Sequence, residues 1–411
     1  DVTNMEAVIY NNSPAGRRLA KIFGNFDGGA YLGRYSHIRL EEINEPEPRG
    51  PHWVKIKTTM SAVSRGDISL ISHKRSHTRP AFPEFPFVLG CESHGIVIET
   101  GDAVRGFRQG DRVIVDPALN CRTRDIEPVC ESCESGNTSS CRNTAQGSIS
   151  PGVSIGCCPE TGGGWSRVFI AHESQLHRLP PDMDDDSALA LHSLGAAVHT
   201  VMRNFPDDRT TILLYGCGAA GLGIIAAIRA LGSSCRIVAV ESSRFHGETA
   251  LQYGADRIIY PRELKRPITR EAADITGAQC HKSSDGEEFL TGGFDIIFDT
   301  TASPLTINEG LRLAANGASI VLAGASRQGA VDTAPITFKN VHITGSCGCG
   351  IETYRGRRTH SIPIAIDIAA KHGLNLKSFV THKFRINDYR KAIEVSLHKA
   401  KYNAITTAFA F

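Results

Sequence analysis

The sequence predicts an α/β protein in which a β-barrel-like domain precedes a doubly wound parallel sheet. The first observation is a series of short β-type runs before about residue 180, such as Trp53–Lys57 and Arg112–Asp116, separated by Gly and Pro. The second is the alternation of short apolar strands with helical segments from about residue 187 to 346, which favours a parallel sheet. The third is the content of 40 glycines, which suits many tight turns and close backbone approaches.

The predicted elements divide the chain into three segments. The first, 1–186, holds the β-type runs, which include Gly95–Glu99 and Trp165–Ile170. The second, 187–346, has five predicted strands and two predicted helices: Thr211–Tyr215, Arg236–Glu241, Arg257–Tyr260, Phe294–Asp299 and Ser319–Ala323, with Leu222–Leu231 and Phe245–Tyr253. The third, 347–411, has two predicted helices and a last strand that we expect to return to the first domain: Ile362–Ala370, Asp388–His398 and Ala404–Phe411.

Composition excludes several classes of function. The 411 residues are 41% hydrophobic and 21% charged, which is typical of a globular chain with a large core. The net charge of +2 gives no electrostatic reason to expect nucleic acid or an anionic membrane as a partner. The segment Asp1–Tyr10 lacks the basic and apolar regions of a signal peptide, so we expect a cytoplasmic protein. In that setting the 12 cysteines favour reduced thiols or metal ligands over disulfides.

A glycine-rich loop follows the first strand of the second segment. It has the pattern G-x-G-x-x-G at Gly216, Gly218 and Gly221, and the apolar helix opens at Leu222. Gly216 permits a tight turn, Gly218 lets backbone amides approach a pyrophosphate, and Gly221 lets the helix pack closely. With a strand before it and a helix after it, the loop predicts a dinucleotide site of the Rossmann type. The alternative is a glycine turn with a packing role alone.

The end of the next strand predicts which dinucleotide is bound. Glu241 can accept hydrogen bonds from both ribose hydroxyls and would repel a 2′-phosphate, so we expect NAD rather than NADP. Arg244, three residues later, can weaken that preference.

Four cysteines occur close together in one polar stretch: Cys121, Cys130, Cys133 and Cys141. Four thiolates suit tetrahedral zinc, and a bound ion would order a loop that has little apolar content of its own. The alternatives are surface thiols or a redox pair, and Cys157 or Cys158 could replace one ligand.

Several motifs together resemble a known family. They are Ser61–Asp67, Pro86–Gly95, Gly110–Val113, the cysteine stretch, Gly163–Ser166, the glycine loop and Ile343–Ser346. Across nearly the whole chain they resemble the zinc-containing branch of the medium-chain dehydrogenase/reductase superfamily, which includes alcohol, polyol and threonine dehydrogenases. The resemblance implies a GroES-like catalytic domain, a Rossmann domain and an active site between them. It also implies hydride transfer between NAD(P) and an alcohol or carbonyl substrate, by a homodimer or homotetramer.

The family's catalytic zinc ligands are altered in this chain. Ser64 stands where the family has Cys, Cys91 where it has the His of Gly-His-Glu, and His192 where it has Cys or Glu. One interpretation is a rearranged zinc site with Cys91, Glu92 and His192 as ligands and Asp67 beside them. The other is that the metal has been lost.

The two interpretations predict different chemistry. A zinc ion would polarise the substrate oxygen, and we would expect a dehydrogenase of secondary alcohols or polyols. Without zinc the site resembles the family's zinc-free quinone and enoyl reductases, with Ser64, His192 or His94 as proton donor. The altered ligands also leave open a non-catalytic nucleotide-binding protein. His94 could instead be a buried strand histidine, and His192 a helix-start residue.

The resemblance carries over further positions. Arg65 matches a residue that contacts the cofactor pyrophosphate, or is a solvated surface arginine. Ala323 and Gly324 match the stretch that lines the nicotinamide pocket. Two segments are longer than the family pattern requires, at 11–35 and 261–293, and we expect them to shape substrate access or subunit contacts.

Overall fold

A computed structural model describes residues 4–11, 36–72, 84–284, 286–324 and 328–411. It forms two compact units. Unit 1 comprises Asp1–His192, Cys349–Pro363 and Asn375–Phe411, and unit 2 comprises Ser193–Gly348 and Ile364–Leu374. The division into 1–186, 187–346 and 347–411 stays a prediction. The glycine-rich segment near residues 11–35 lies, apart from Asn11, outside the described residues.

The described strands, in chain order, are β1 (Asn4–Tyr10), β2 (Ile38–Asn44), β3 (Trp53–Ala62), β4 (Phe87–Val88), β5 (Ser93–Thr100), β6 (Arg112–Val115), β7 (Val168–His172), β8 (Leu176–Arg178), β9 (Thr211–Tyr215), β10 (Arg236–Val240), β11 (Arg257–Ile259), β12 (Gln279–Lys282), β13 (Glu288–Thr291), β14 (Phe294–Asp299), β15 (Ala314–Leu322), β16 (His342–Gly345), β17 (Ile351–Tyr354), β18 (Arg357–His360), β19 (Val380–Phe384) and β20 (Thr406–Ala410).

The described α-helices are α1 (Arg65–Ile71), α2 (Glu131–Glu134), α3 (Asp185–Arg203), α4 (Ala219–Ala230), α5 (Arg244–Gln252), α6 (Ile268–Thr276), α7 (Pro304–Leu313), α8 (Ala334–Lys339), α9 (Ser361–His372), α10 (Tyr389–Leu397) and α11 (Lys399–Tyr402). None of the helices in the described ranges has the length and apolar character needed to cross a membrane.

Unit 1 is built on mainly antiparallel sheets, in which β19 and β20 pair parallel. A three-stranded sheet has the order β2-β1-β4, and a larger one runs β19-β20-β3-β5-β6-β8 with β7 also paired to β3. The last strand, β20, pairs antiparallel with β3. Trp53, Phe169 and Trp165 are among the largest fully buried side chains of this unit. Nearly all residues of β3 are buried, and its pairing with β5 is shifted by bulges at two points.

Unit 2 is built on a six-stranded parallel sheet of order β11-β10-β9-β14-β15-β16. Strand order reverses beside β9, as in a doubly wound fold, and four of the five residues of β9 are buried. The predicted α/β fold class, with a β-barrel-type part and a Rossmann sheet, is confirmed. The 261–293 segment contains α6 and the hairpin β12–β13, which the sequence analysis did not resolve.

Candidate functional site

The glycine loop joins β9 to α4 at the carboxyl edge of the parallel sheet. Gly216 has φ +87°, a conformation that favours glycine, and its amide donates to the Val240 carbonyl at 3.0 Å. Gly218 is the N-cap of α4, and no described atom lies within 4 Å of a Cβ placed there. A Cβ at Gly221 would collide with the Gly216 carbonyl oxygen. The loop therefore leaves open backbone at the start of a buried helix, where a phosphate can approach.

Glu241 follows β10 and closes this loop. Its Oε2 accepts a hydrogen bond from the Cys217 amide at 2.8 Å. Its Oε1 accepts from the amides of Ser242, at 2.7 Å, and Ser243, at 2.9 Å. The carboxylate is therefore oriented by backbone groups beside the glycine loop, where a ribose would be recognised.

Ala323 and Gly324 follow β15 at the same edge of the sheet. The Ala323 amide donates to the Asp299 carbonyl at 2.9 Å. A Cβ at Gly324 would collide with the Thr300 carbonyl oxygen, so only glycine fits there without a backbone shift. Their place beside a nicotinamide stays a prediction.

The four cysteines of the polar stretch converge. The Sγ atoms of Cys121, Cys130, Cys133 and Cys141 all lie within 4.8 Å of one another. The Cys121 and Cys141 sulfurs are 3.6 Å apart, and those of Cys130 and Cys141 are 3.9 Å apart. A tetrahedral zinc with Zn–S of about 2.3 Å needs sulfurs separated by about 3.8 Å. The donor set therefore fits zinc.

Hydrogen bonds hold these sulfurs in place. The amide of Arg142 donates to Cys130 Sγ at 3.4 Å, and the side-chain amide of Asn143 donates to Cys121 Sγ at 3.2 Å. Behind the loop, the fully buried Arg124 guanidinium donates to the carbonyls of Gln146, Ile149, Ser150 and Gly152. Donors aimed at sulfur favour the thiolate that zinc requires.

Ser64 and Asp67 are joined at the start of α1. Ser64 is the N-cap, and its Oγ accepts from the Asp67 amide at 3.1 Å. Asp67 Oδ2 accepts from the Ser64 amide at 2.9 Å and from the Ser64 hydroxyl at 2.6 Å, which forms a capping box. Cys91 Sγ lies 3.5 Å from Ser64 Oγ. Burial raises the pKa of the Cys91 thiol, so at neutral pH this group is a neutral thiol.

Glu92 interacts with two side chains of opposite charge, Asp67 and Lys399. Burial and the nearby Asp67 carboxylate raise the pKa of Glu92 to about 7, and the Lys399 ammonium opposes this. Lys399 donates to the Ile405 carbonyl at 2.6 Å, and burial together with the Arg65 guanidinium lowers its pKa to about 8. Arg65 is the exposed first residue of α1. Lys399 carries no functional signal in the sequence, because only the tertiary fold brings α11 near Glu92.

The two histidines of this region are both neutral at pH 7. His192 is buried, its Nε2–H donates to the Ser93 carbonyl at 3.1 Å, and burial lowers its pKa to about 4. His94 is a buried strand residue whose Nε2 has no hydrogen-bond partner among the described residues, and burial lowers its pKa to about 4. Neither side chain can act as an imidazolium donor at neutral pH.

Two family comparisons match most of the chain. Residues 50–181 match the alcohol dehydrogenase GroES-like domain, and residues 219–360 match the zinc-binding dehydrogenase family. The chain belongs to the zinc-containing alcohol and polyol dehydrogenase branch of the medium-chain dehydrogenase/reductase superfamily. It is an NAD(P)-dependent alcohol dehydrogenase-like enzyme, and its cofactors are NAD(P) and zinc.

Relatives in this branch are distant in sequence. The chain is 24% identical over 360 residues to a probable D-xylulose reductase A of Aspergillus terreus, covering 87% of this chain and 91% of the relative. It is 26% identical over 370 residues to an L-threonine 3-dehydrogenase of Paraburkholderia phymatum, covering 90% and 95%. The structure of 2R,3R-butanediol dehydrogenase from Bacillus subtilis aligns with a TM-score of 0.72, 20% identity and 99% coverage of both chains.

The catalytic zinc ligands predicted for this chain do not converge in the structure. Within the described ranges, the four-cysteine set is the only group of three or more His, Cys, Asp and Glu side chains with all ligand atoms within 4.8 Å. Cys91, Glu92 and His192 are therefore not brought to one point. His192 also uses Nε2 as a donor, which leaves that nitrogen no lone pair for a metal. A catalytic zinc held by these three residues stays a prediction, and Cys157 and Cys158 lie outside the four-cysteine group.

Proposed function

We propose that the protein transfers a hydride between a nicotinamide and a secondary alcohol or polyol, or the corresponding ketone. The observation that carries this is the glycine loop of a chain from a dehydrogenase family. The loop backbone is accessible at Gly218, and the Glu241 carboxylate is bound to the Cys217 amide beside it. Relatives named for xylulose and butanediol support a small polyhydroxylated substrate. Bound NAD(P) supplies the hydride acceptor or donor at its nicotinamide ring.

The preferred cofactor in this proposal is NAD. Glu241 presents a carboxylate already oriented by three backbone amides, and a fixed carboxylate accepts hydrogen bonds from ribose hydroxyls. The same fixed charge repels a 2′-phosphate. Gly216, Gly218, Gly221 and Leu222 would hold the pyrophosphate, with Arg65, Ala323 and Gly324 as further proposed cofactor contacts.

Zinc has a structural role in this proposal. Cys121, Cys130, Cys133 and Cys141 would hold one ion and stabilise a loop that has few apolar side chains. A catalytic ion at Cys91, Glu92 and His192 is not included, because these residues do not converge.

Ser64 and Asp67 would move the proton of the substrate. When an alcohol is oxidised, its carbinol hydrogen leaves as hydride and its hydroxyl hydrogen leaves as a proton. Ser64 can accept that proton while its own passes over 2.6 Å to the Asp67 carboxylate. His192 would position the Ser93 backbone, since its imidazole is neutral and already donates there.

One alternative function is supported by the same geometry. A site whose metal ligands do not converge suits a zinc-independent quinone or enoyl reductase of this superfamily. The test is turnover of a panel of polyols, secondary alcohols, ketones, quinones and enones with each nicotinamide cofactor. Alcohol or ketone turnover supports the proposal, whereas turnover of quinones or enones alone supports the alternative.

Two further properties belong to the proposal. All four residues of the edge strand β16 are exposed, and Phe338 on α8 is 59% exposed, which supports a homodimer or homotetramer built through this edge. A cytoplasmic location is supported by the lack of disulfides among the described cysteines. Size-exclusion chromatography with light scattering would test the assembly.

A further inference from the structure

Two charged side chains meet at the cofactor edge of unit 2. Strands β10 and β11 are parallel neighbours, with Val240 paired to Ile259, and the Glu241 amide donates to the Ile259 carbonyl at 3.0 Å. Arg244 follows β10, and Glu263 follows β11. Ligands of doubly wound sheets bind at the carboxyl ends of the strands, so both residues lie at the ligand-binding edge.

Arg244 is held by two contacts. Its Nε donates to Glu263 Oε1 at 2.9 Å, and its Nη2 donates to Glu263 Oε2 at 2.6 Å. Its guanidinium also lies over the Tyr260 ring, 4.7 Å from the ring centroid. Tyr260 is fixed in turn, because its ring packs where a Cβ on Gly247 would collide with it. The bidentate pair occupies the edge of the guanidinium that a phosphate would bind.

The chain thus carries opposing signals for the 2′ position of the cofactor. Glu241 disfavours a 2′-phosphate, whereas an arginine at this end of the sheet accommodates one. We propose that Glu263 is a positioning residue for cofactor choice: its ion pair with Arg244 withholds the guanidinium from a 2′-phosphate and so disfavours NADP. This inference rests on the proposed dinucleotide site and adds a residue from the 261–293 segment to it.

The ion pair between Arg244 and Glu263 is exposed to solvent, so a bound ligand can reach it. Side-chain exposure is 66% for Arg244 and 48% for Glu263. Exposed ion pairs are weak, so a dianionic 2′-phosphate competes with Glu263 for Arg244 instead of being excluded outright. Removing the carboxylate should therefore tighten NADP binding by a measurable factor and leave NAD binding nearly unchanged.

The test is nucleotide affinity by titration calorimetry on the full chain, without any turnover measurement. For Glu263→Gln we expect the Kd for NADP to fall at least fivefold while the Kd for NAD stays within twofold. The second variant, Glu263→Gln with Arg244→Gln, should lose that gain. Glu42→Gln is the control, because it removes the same charge from an exposed position on β2 of unit 1. Its NADP affinity should stay within twofold.

Fragments isolate the 2′-phosphate from the rest of the cofactor. Adenosine 2′,5′-bisphosphate should gain affinity in Glu263→Gln, whereas AMP should not. An unchanged ratio of NADP to NAD affinity in a variant that still binds NAD overturns the inference. A gain that survives the loss of Arg244 overturns it as well. If the unaltered protein binds neither dinucleotide, the proposed function itself fails.

Discussion

The backbone amide of Ile351 donates a 2.9 Å hydrogen bond to the carbonyl of Gly136. This bond joins the hairpin β17–β18 to the loop that carries the four cysteines. Two more hydrogen bonds join the same segments, from Arg358 Nη2 to the Glu134 carbonyl and from Ser139 Oγ to the Cys349 carbonyl, each 2.9 Å long. The conformation of the cysteine loop and the conformation of the hairpin therefore stabilise each other.

Gly136 is the first position at which this dependence can be tested. It has φ +92°, and a Cβ there would lie 2.8 Å from Ile351 Cβ. Gly136→Ala should lower the free energy of unfolding. The loss should exceed, by about 1–3 kcal/mol, the loss caused by the same substitution at a positive-φ glycine without such a neighbour. Gly110→Ala is the control, because Gly110 has φ +93° with no described atom within 4 Å of its Cβ. If urea unfolding gives the same loss of unfolding free energy for both variants, the contact between position 136 and Ile351 has no effect on stability.

Loss of one thiol should empty the zinc site. Cys133→Ser should reduce the zinc content from one ion per chain to less than about 0.2, because three thiolates bind far more weakly than four. Cys280→Ser is the control, since Cys280 is exposed and outside the four-cysteine group. Elemental mass spectrometry of both variants measures this. Retention of one zinc in Cys133→Ser would place the ion elsewhere, and two ions in the unaltered protein would contradict the single-site assignment.

Glu241 should control affinity for NAD. In Glu241→Ala the Kd for NAD should rise by about 10- to 150-fold, because a hydrogen bond to a charged group contributes about 1.5–3 kcal/mol. The Kd for NADP should fall or stay the same, because the repulsion is removed. Fluorescence titration with NADH and NADPH measures both. Unchanged affinities for the two cofactors would rule out this role for Glu241.

Substitution of Asp67 or Ser64 should lower kcat more than it changes KM. Asp67→Asn keeps the shape of the side chain and removes the proton acceptor, so kcat should fall by about 10²- to 10⁴-fold. Ser64→Ala should also lose the N-cap of α1, at a cost of about 1 kcal/mol in stability. Ser69→Ala, on the same helix, serves as the control for stability alone. A kcat within threefold of the unaltered enzyme in Asp67→Asn would exclude this proton path.

Acid should destabilise the fold through His177. Burial, together with the neighbouring His360, lowers the pKa of His177 to about 3, against 6.5 in an unfolded chain. Between these values the unfolded state binds a proton that the folded state does not, so lowering the pH from 6.5 favours unfolding. The contribution is at most about 1.4 kcal/mol per pH unit.

The variant His177→Asn should have a shallower fall in the free energy of unfolding between pH 6.5 and 4.5. His281→Asn, at an exposed position on β12, should keep the slope of the unaltered protein. Chemical denaturation at four or five pH values measures the slopes. Identical slopes for His177→Asn and the unaltered protein would assign the acid sensitivity to other groups.

Local pattern was enough to predict several features of the fold and the site. The prediction of a strand over Thr211–Tyr215 has the bounds that the structure has, because the last four of its five residues are buried and form one apolar run. The cysteine group was also predictable, since its four ligands are close in sequence. By contrast, β15 begins at Ala314, five residues before the predicted start, because pairing of Phe294 with Ala314 extends the strand through a Gly-containing stretch.

The sequence by itself determined the fold class, the glycine loop, the carboxylate at Glu241 and the four thiols, because each depends on residues that are neighbours along the chain or repeat with a regular period. Only the tertiary structure decided whether distant residues meet. It placed Lys399 near Glu92, paired Arg244 with Glu263, and left Cys91, Glu92 and His192 without a common point for a metal. Side-chain distances between remote segments depend on packing and strand register, which no local pattern encodes.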